Sequence, residues 1–415
     1  VNRSSSRCLF LAEDEPISPN ATGAAAFAYS HLELLAHSGY QINLVLLSDP
    51  RRTGPRFADL EVDQPGVWQQ IRSWCNQIRS LELSIISPHK TALLRVIYSI
   101  YNPGGYLYPE LTNRDTVFSF RKLISEIDPD FIWAEHLVPA TLTQQTVDSL
   151  PSVYSHADWR WRIKKLRSGV KAKEWKRRYR FWLSRRHEIG LVRWFSGCVS
   201  GSASEAVDIM QFGAKLVGYF PTTYTPVDLP EREVFETPRI VHLGGMGATA
   251  NRLGLERFFE VVWPVLCEDQ TSVPEIWVIG SLDGASPSLL AAMKEAGVIC
   301  TGFVEDLKTV LRPGDIHIIP WEYNTGTRTR IPLVLNYGQV LVSTRAAAAC
   351  ISELKHRENC LLVDDLPQMA GEIRSLIEND EFRCALADEG RKTFLEFFTR
   401  EALQPRFNKF LETLQ

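Results

Sequence analysis

The chain has 415 residues, 45% hydrophobic and 23% charged, with a formal net charge of −3. That length exceeds one ordinary hydrophobic core and predicts two domains, and the near-neutral total gives no reason to expect nucleic acid or an acidic polymer as partner. Eight cysteines are scattered with no Cys-x-x-Cys pair, which argues for buried thiols and against a disulfide framework or zinc site.

In chain order, the first apolar run, Cys8 to Ala12, is too short for a signal-peptide core and is followed by Glu13-Asp14-Glu15. No run reaches the roughly 18 apolar residues of a spanning helix. The expected location is the cytoplasm, or at most the inner face of a membrane. Ile42 to Leu47, Phe131 to Ala134, Val153 to His156 and Cys198 to Ser200 are further strand candidates, separated by irregular stretches such as Asp49 to Gly66 and Tyr101 to Asn113. A Pro- and Thr-rich segment from Phe220 to Pro230 reads as a linker.

Beyond it, short apolar runs end at turn residues: Ile240 to Leu243, Ile276 to Ile279, Val298 to Cys300, Ile316 to Ile319, Val340 to Val342 and Cys360 to Val363. Helical patterns lie between most of them, for example Leu255 to Leu266 and Leu289 to Ala296. Apolar strands alternating with helices predict a parallel sheet covered on both faces, with ligands beyond the strands' carboxyl ends. The fold class expected is α/β, with two Rossmann-like doubly wound domains facing a cleft. The first spans residues 1–220, the second 221–393, and a helical stretch at 394–415 can pack back on the first.

From Leu243 onward the chain resembles the carboxy-terminal domain of family-4-type retaining glycosyltransferases of the GT-B fold (glycosyl transferases group 1). The resemblance is carried by Leu243-Gly244-Gly245-Met246 with Asn251 and Trp263-Pro264, by Trp277-Val278-Ile279-Gly280, and by Thr301 to Leu307. It continues through Asp315 to Pro320, Gly326-Thr327-Arg328-Thr329-Arg330 and Gly338 to Thr344. It implies a glycosyltransferase taking a UDP- or GDP-sugar as co-substrate, with no cofactor and no catalytic metal. Glycan, lipid-linked or small-molecule acceptors are expected, and nucleic acid is not.

Residue by residue, the resemblance implies that Gly244, Gly245 and Gly280 let donor phosphates approach the backbone, since residues without Cβ leave amide groups accessible. A tight strand-to-helix turn is the bland alternative. A basic residue at Arg330 would neutralise the diphosphate and the charge on the leaving group, a task suited to the permanently charged guanidinium. Arg328, Arg252, Thr325, Gly326 and Thr327 would complete the phosphate loop, and Phe303 and Val304 would grip the base. Gly23, in Ala21-Thr22-Gly23-Ala24, would face the donor from the amino-terminal domain, although the usual Gly-Gly is missing. Glu135, His136 and His156 are the candidate hydroxyl-polarising groups, and Asp158 an acceptor-side contact; bracing a loop is the alternative for each. The Asp128-x-Asp130 pair looks metal-binding, but it straddles a helix-Pro-strand turn.

One departure stands out. Where the family carries two glutamates eight positions apart, this chain has Thr325 and Leu333. Leu333 cannot accept a ribose hydrogen bond, and Glu322 is the substitute in reach. A GT-B-shaped binding or scaffold subunit with impaired catalysis is therefore the second reading. Finally, fourteen Lys or Arg lie between Arg160 and Arg193 against Glu174 and Glu188 alone, interleaved with aromatics. Contact with an anionic membrane surface and a solvated helix packed through its aromatics are the competing readings of residues 160–193, with RNA binding a distant third.

Overall fold

The structure, a computed structural model, describes residues 6–166, 174–229, 238–268 and 274–414. Residues 167–173 of the basic segment and Pro230 of the expected linker lie outside them. The chain divides into two compact units. One comprises Val1–Thr222, Thr325–Thr327 and Leu403–Gln415, and the other Thr223–Asn324 and Arg328–Ala402.

The first unit holds seven strands: β1 (Arg7–Glu13), β2 (Gln41–Ser48), β3 (Cys75–Glu82), β4 (Phe131–Glu135), β5 (Ser152–His156), β6 (Gly197–Ser200) and β7 (Val217–Tyr219). They form one parallel sheet in the order β3-β2-β1-β4-β5-β6-β7. The central strands are buried along their length, as their continuous Val, Leu, Ile and Phe runs require. The helices that matter below are α1 (Gly23–His37), α2 (Pro88–Tyr101), α3 (Pro103–Leu107), α4 (Leu137–Thr146), α5 (Glu174–Trp194) and α6 (Ala203–Gln211). Thr22 caps α1, Ser87 caps α2 and Ser202 caps α6, each accepting a backbone N–H.

The second unit holds β8 (Ile240–Leu243), β9 (Ile276–Ile279), β10 (Ile299–Gly302), β11 (Ile316–Ile319), β12 (Val340–Thr344) and β13 (Leu361–Val363), parallel in the order β10-β9-β8-β11-β12-β13. Its helices include α7 (Thr249–Arg257), α8 (Arg330–Asn336) and α9 (Asp380–Phe397). At the base of the sheet, buried Arg239 bonds Asp315 through its Nε at 2.8 Å and lies 4.5 Å over the Trp277 ring, pinning the starts of β8, β9 and β11 together. The last helix, α10 (Arg400–Leu414), sends Leu403, Phe407, Phe410 and Leu411 into the core of the first unit, with Phe407 5.6 Å from Trp133. Among the described residues, no helix is long and apolar enough to cross a membrane.

Each sheet reverses its strand order once, between β1 and β4 in one unit and between β8 and β11 in the other. In open α/β sheets the ground beyond the carboxyl ends of such neighbours is where ligands bind.

Candidate functional site

In the second unit the loops after β8, β9 and β11 converge. Gly244 and Gly280 have φ of 137° and 135°, backbone that only glycine adopts readily. A Cβ on Gly280 would stand 2.8 Å from the Gly244 carbonyl carbon, and one on Gly244 would meet the Asn251 amide at 2.4 Å. Asn251, on α7, donates to the Gly245 carbonyl at 2.9 Å and fixes the turn.

Against this turn lies the Arg330 guanidinium. Its Nη1 donates to the Leu243 carbonyl at 2.6 Å and stands 3.4 Å from His242 Nε2. Among the described residues no carboxylate pairs with it. Burial, then the charge of Arg328, pushes Arg330 down to about 9, so it stays cationic at neutral pH. His242 and His317 are fully buried beneath it. Burial, followed by the Arg330 charge, holds His242 well below its ordinary range and pushes His317 down to about 3. Both imidazoles are neutral, and His317 Nδ1 lies 3.2 Å from Gln339 Oε1. A partly buried cation held by one carbonyl and two neutral rings lacks a counter-charge, and an anion beyond β8 would supply it.

The neighbours fill out the picture. Arg328 stands 5.9 Å over the buried Trp321 ring. Arg252 donates to the Gly284 carbonyl at 3.3 Å, bracing the loop after β9. Phe303, just past β10, is 66% exposed, and Val304 packs on the apolar cluster of Val241, Ile279 and Tyr337. Leu333 joins that same cluster. Glu322, the expected substitute for the missing glutamate, is ion-paired with Arg257 at 3.2 Å.

In the first unit, Gly23 is exposed and opens α1, the helix that follows β1 in the chain. His136 follows β4 with φ 70° and ψ −178°, a strained conformation for a residue with a side chain. Its ring lies 6.3 Å from Phe27, and its Nδ1 has no hydrogen-bond partner. Strain of this kind concentrates where a side chain must be aimed.

Glu135 and His156 depart from the expectation. Both are 0% exposed. The Glu135 carboxylate accepts from His31 Nδ1 at 3.1 Å, Trp133 Nε1 at 2.9 Å and Ser155 Oγ at 2.8 Å. Burial pushes its pKa up, but His31, His136 and the Trp133 bond together hold it below the ordinary carboxylate value. His156 is engaged on both nitrogens, by Tyr154 at 3.2 Å and Glu205 at 3.1 Å. Strands buried on both faces bury their last side chains too, so neither group can polarise an acceptor hydroxyl in this arrangement; they lock β4, β5 and α6 together.

Thr325–Thr327 group with the first unit. Gly326 (φ 63°) donates its N–H to Glu205 at 2.9 Å, and a Cβ there would stand 3.1 Å from Asp158. Thr327 Oγ1 donates to the Ala157 carbonyl at 3.4 Å. Burial, then the nearby Glu205, raises the Asp158 pKa. Asp128 and Asp130 both serve Arg7, Asp128 through its guanidinium at 2.5 Å and Asp130 through its backbone N–H at 2.6 Å.

Residues 237–379 match the family model described as glycosyl transferases group 1. Solved structures extend the likeness over both units and show that the fold is GT-B. HepE of Anabaena in complex with UDP is 13% identical at a TM-score of 0.64, covering 98% of this chain and 100% of that one. Sucrose-phosphate synthase from Thermosynechococcus elongatus is 15% identical at 0.67, covering 98% and 99%. A TarM variant from S. aureus, solved with fondaparinux, alpha-GlcNAc-glycerol and UDP, is 9% identical at 0.66, also covering 98% and 99%. A comparison with curated proteins finds no match. The residues matched by the family model contain the Gly244 turn, Arg328 and Arg330.

Sequence reasoning missed His242 and His317 as neighbours of Arg330. Their signal was one polar residue inside each of two apolar strands, Ile-Val-His-Leu and Ile-His-Ile-Ile. His31 and Glu205 gave none, because they lie on helices and are drawn together with strand residues by tertiary packing.

Proposed function

We propose that this chain is a retaining glycosyltransferase that takes a sugar from a nucleoside diphosphate sugar and passes it to a glycan, lipid-linked or small-molecule acceptor. The observation that carries this reading is the Arg330 guanidinium, held at the end of β8 without a carboxylate partner among the described residues. Diphosphate oxygens would replace its missing counter-charge, and its stabilisation grows as the leaving group gains charge. Arg328 would add a second cation. The exposed Phe303 ring and the backbone around Val304 suit a nucleobase. HepE is crystallised with UDP and with UDP-glucose, which supports a UDP-sugar donor, with GDP-sugars the other class to try.

The departing phosphate oxygen would take the acceptor's proton, with attack from the leaving-group face and no dedicated protein nucleophile. His136, strained at its backbone and with its Nδ1 buried 3.6 Å from Glu135 Oε1, is the side chain best suited to contact the transferred sugar, while Glu135 and His156 hold its surroundings in place. With basic residues balancing the diphosphate, the reaction is metal-independent. A cytoplasmic site of action and a peripheral contact with an anionic membrane through residues 160–193 complete the reading.

Screening UDP- and GDP-sugars by thermal shift and by donor hydrolysis tests it. At least one donor should stabilise the protein and be hydrolysed. A second reading, a GT-B subunit that binds without catalysing, is favoured by Leu333 packing into an apolar cluster while Glu322 serves Arg257. It predicts stabilisation without hydrolysis or transfer.

A further inference from the structure

Helix α2 leaves an apolar stripe uncovered. Leu93, Ile97 and Tyr101 recur every four residues, on one face, and are 61%, 52% and 84% exposed. Ile85, just before the helix, is 66% exposed. Isolated surface apolar residues are ordinary, but a contiguous stripe marks an interaction site.

The stripe has a charged neighbour. Short α3 is wedged between α2 and α5 by two glycines. A Cβ on Gly105 would stand 2.8 Å from the Tyr98 ring of α2, and one on Gly104 would stand 2.7 Å from the His187 ring of α5. The Tyr106 ring lies 6.0 Å from that of Tyr179, on α5. Helix α5 exposes Arg177, Arg178, Arg180, Arg185 and Arg186 together with Trp182, which stacks on Tyr179 at 6.0 Å. Arg178, Trp182 and Arg185 share one face of the helix by their spacing.

We propose that the α2 stripe enters the acyl region of an anionic lipid bilayer while the α5 arginines hold its headgroup phosphates. The proposal rests on the membrane reading of residues 160–193 and adds the element that enters the bilayer. Charge favours this occupant. Two copies of the chain meeting on this surface would set arginines against arginines, whereas an anionic surface offers both the opposite charge and an apolar layer beneath it. Trp182 and Tyr101 suit the boundary, where amphipathic rings accumulate.

Sedimentation of the whole chain with vesicles tests the proposal, comparing mixed phosphatidylcholine–phosphatidylglycerol vesicles with pure phosphatidylcholine. The wild type should prefer the mixed vesicles and retain part of its binding at about 1 M salt, where charge attraction reaches only about 3 Å. Replacing Leu93→Gln, Ile97→Gln and Tyr101→Gln should weaken binding by about tenfold per side chain and abolish the salt-resistant part. Arg178→Gln with Arg180→Gln should cost about fivefold per arginine and leave the salt-resistant part. Should the triple variant unfold at a lower temperature than the wild type, Tyr101→Gln alone must still weaken binding.

Wild-type binding by the triple variant would overturn the insertion and leave the reading of 160–193 standing. An unchanged arginine variant would instead overturn that reading and the joint surface with it. Equal binding to both vesicles, or a dimer that the triple variant disperses, would also contradict the proposal. None of these outcomes touches donor hydrolysis, which tests the enzymatic reading separately.

Discussion

In the proposed function Arg330 is the residue on which the chemistry turns. Its charge would stabilise a leaving diphosphate, and an oxyanion-type contact of this kind is worth on the order of 100-fold or more in rate. Arg330→Ala should therefore lower transfer by at least about that factor while the unfolding temperature stays near that of the wild type. Transfer within a few-fold of wild type would remove the residue from the mechanism. Glu135 predicts the reverse pattern. Its carboxylate satisfies three buried donors, so Glu135→Leu leaves Trp133 without an acceptor and leaves His31 and Ser155 only their 3.3 Å contact with each other. Breaking such a buried network costs about 3 kcal/mol or more, read as a fall of about 6 °C or more in the first unit's unfolding temperature. Unchanged stability with lost transfer would mean that Glu135 acts in the chemistry after all.

At the scale of elements, β8 and β11 each carry a buried neutral histidine, and this gives the second unit a pH signature. His242 and His317 titrate near their ordinary value when unfolded but stay unprotonated in the fold, His317 down to about 3. The unfolded chain then binds the extra protons, so their contribution is complete above about pH 6.5 and is lost as pH falls below it. Each histidine costs about 1.4 kcal/mol per pH unit over that window. Thermal unfolding between pH 7 and pH 5 should show this slope, and His317→Gln should make it shallower by one proton; an unchanged slope would place the titration elsewhere. The same elements show what sequence can and cannot disclose. Strands β1, β2, β4 and the second sheet apart from its edge strand β10 were legible because burial on both faces leaves continuous apolar runs. Strand β3, Cys-Asn-Gln-Ile-Arg-Ser-Leu-Glu, was not, because an edge strand is only partly buried and keeps a polar composition. The Gly244 turn and Arg330 could be located from motif spacing. The burial of Glu135 and His156 could not, since it depends on α1 and α6 supplying His31 and Glu205 from distant parts of the chain.

At the scale of the whole molecule, the two parallel sheets give a GT-B fold, and the proposed function assigns donor chemistry to basic side chains in place of a metal. Added EDTA should leave transfer unchanged, and a large loss restored by a divalent cation would require another account of charge balance. The fold alone does not distinguish a transferase from a subunit that only binds, because Leu333, where the resemblance expects a ribose-binding glutamate, packs into an apolar cluster. Stereochemistry and turnover separate them. The most direct measurement follows the anomeric proton signals by NMR while the wild type and Arg330→Ala act on the donor selected from the UDP- and GDP-sugar panel with an acceptor present. The account predicts a product with the donor's anomeric configuration at early times for the wild type and almost none for Arg330→Ala. An inverted product, or equal turnover by the two proteins, would contradict it.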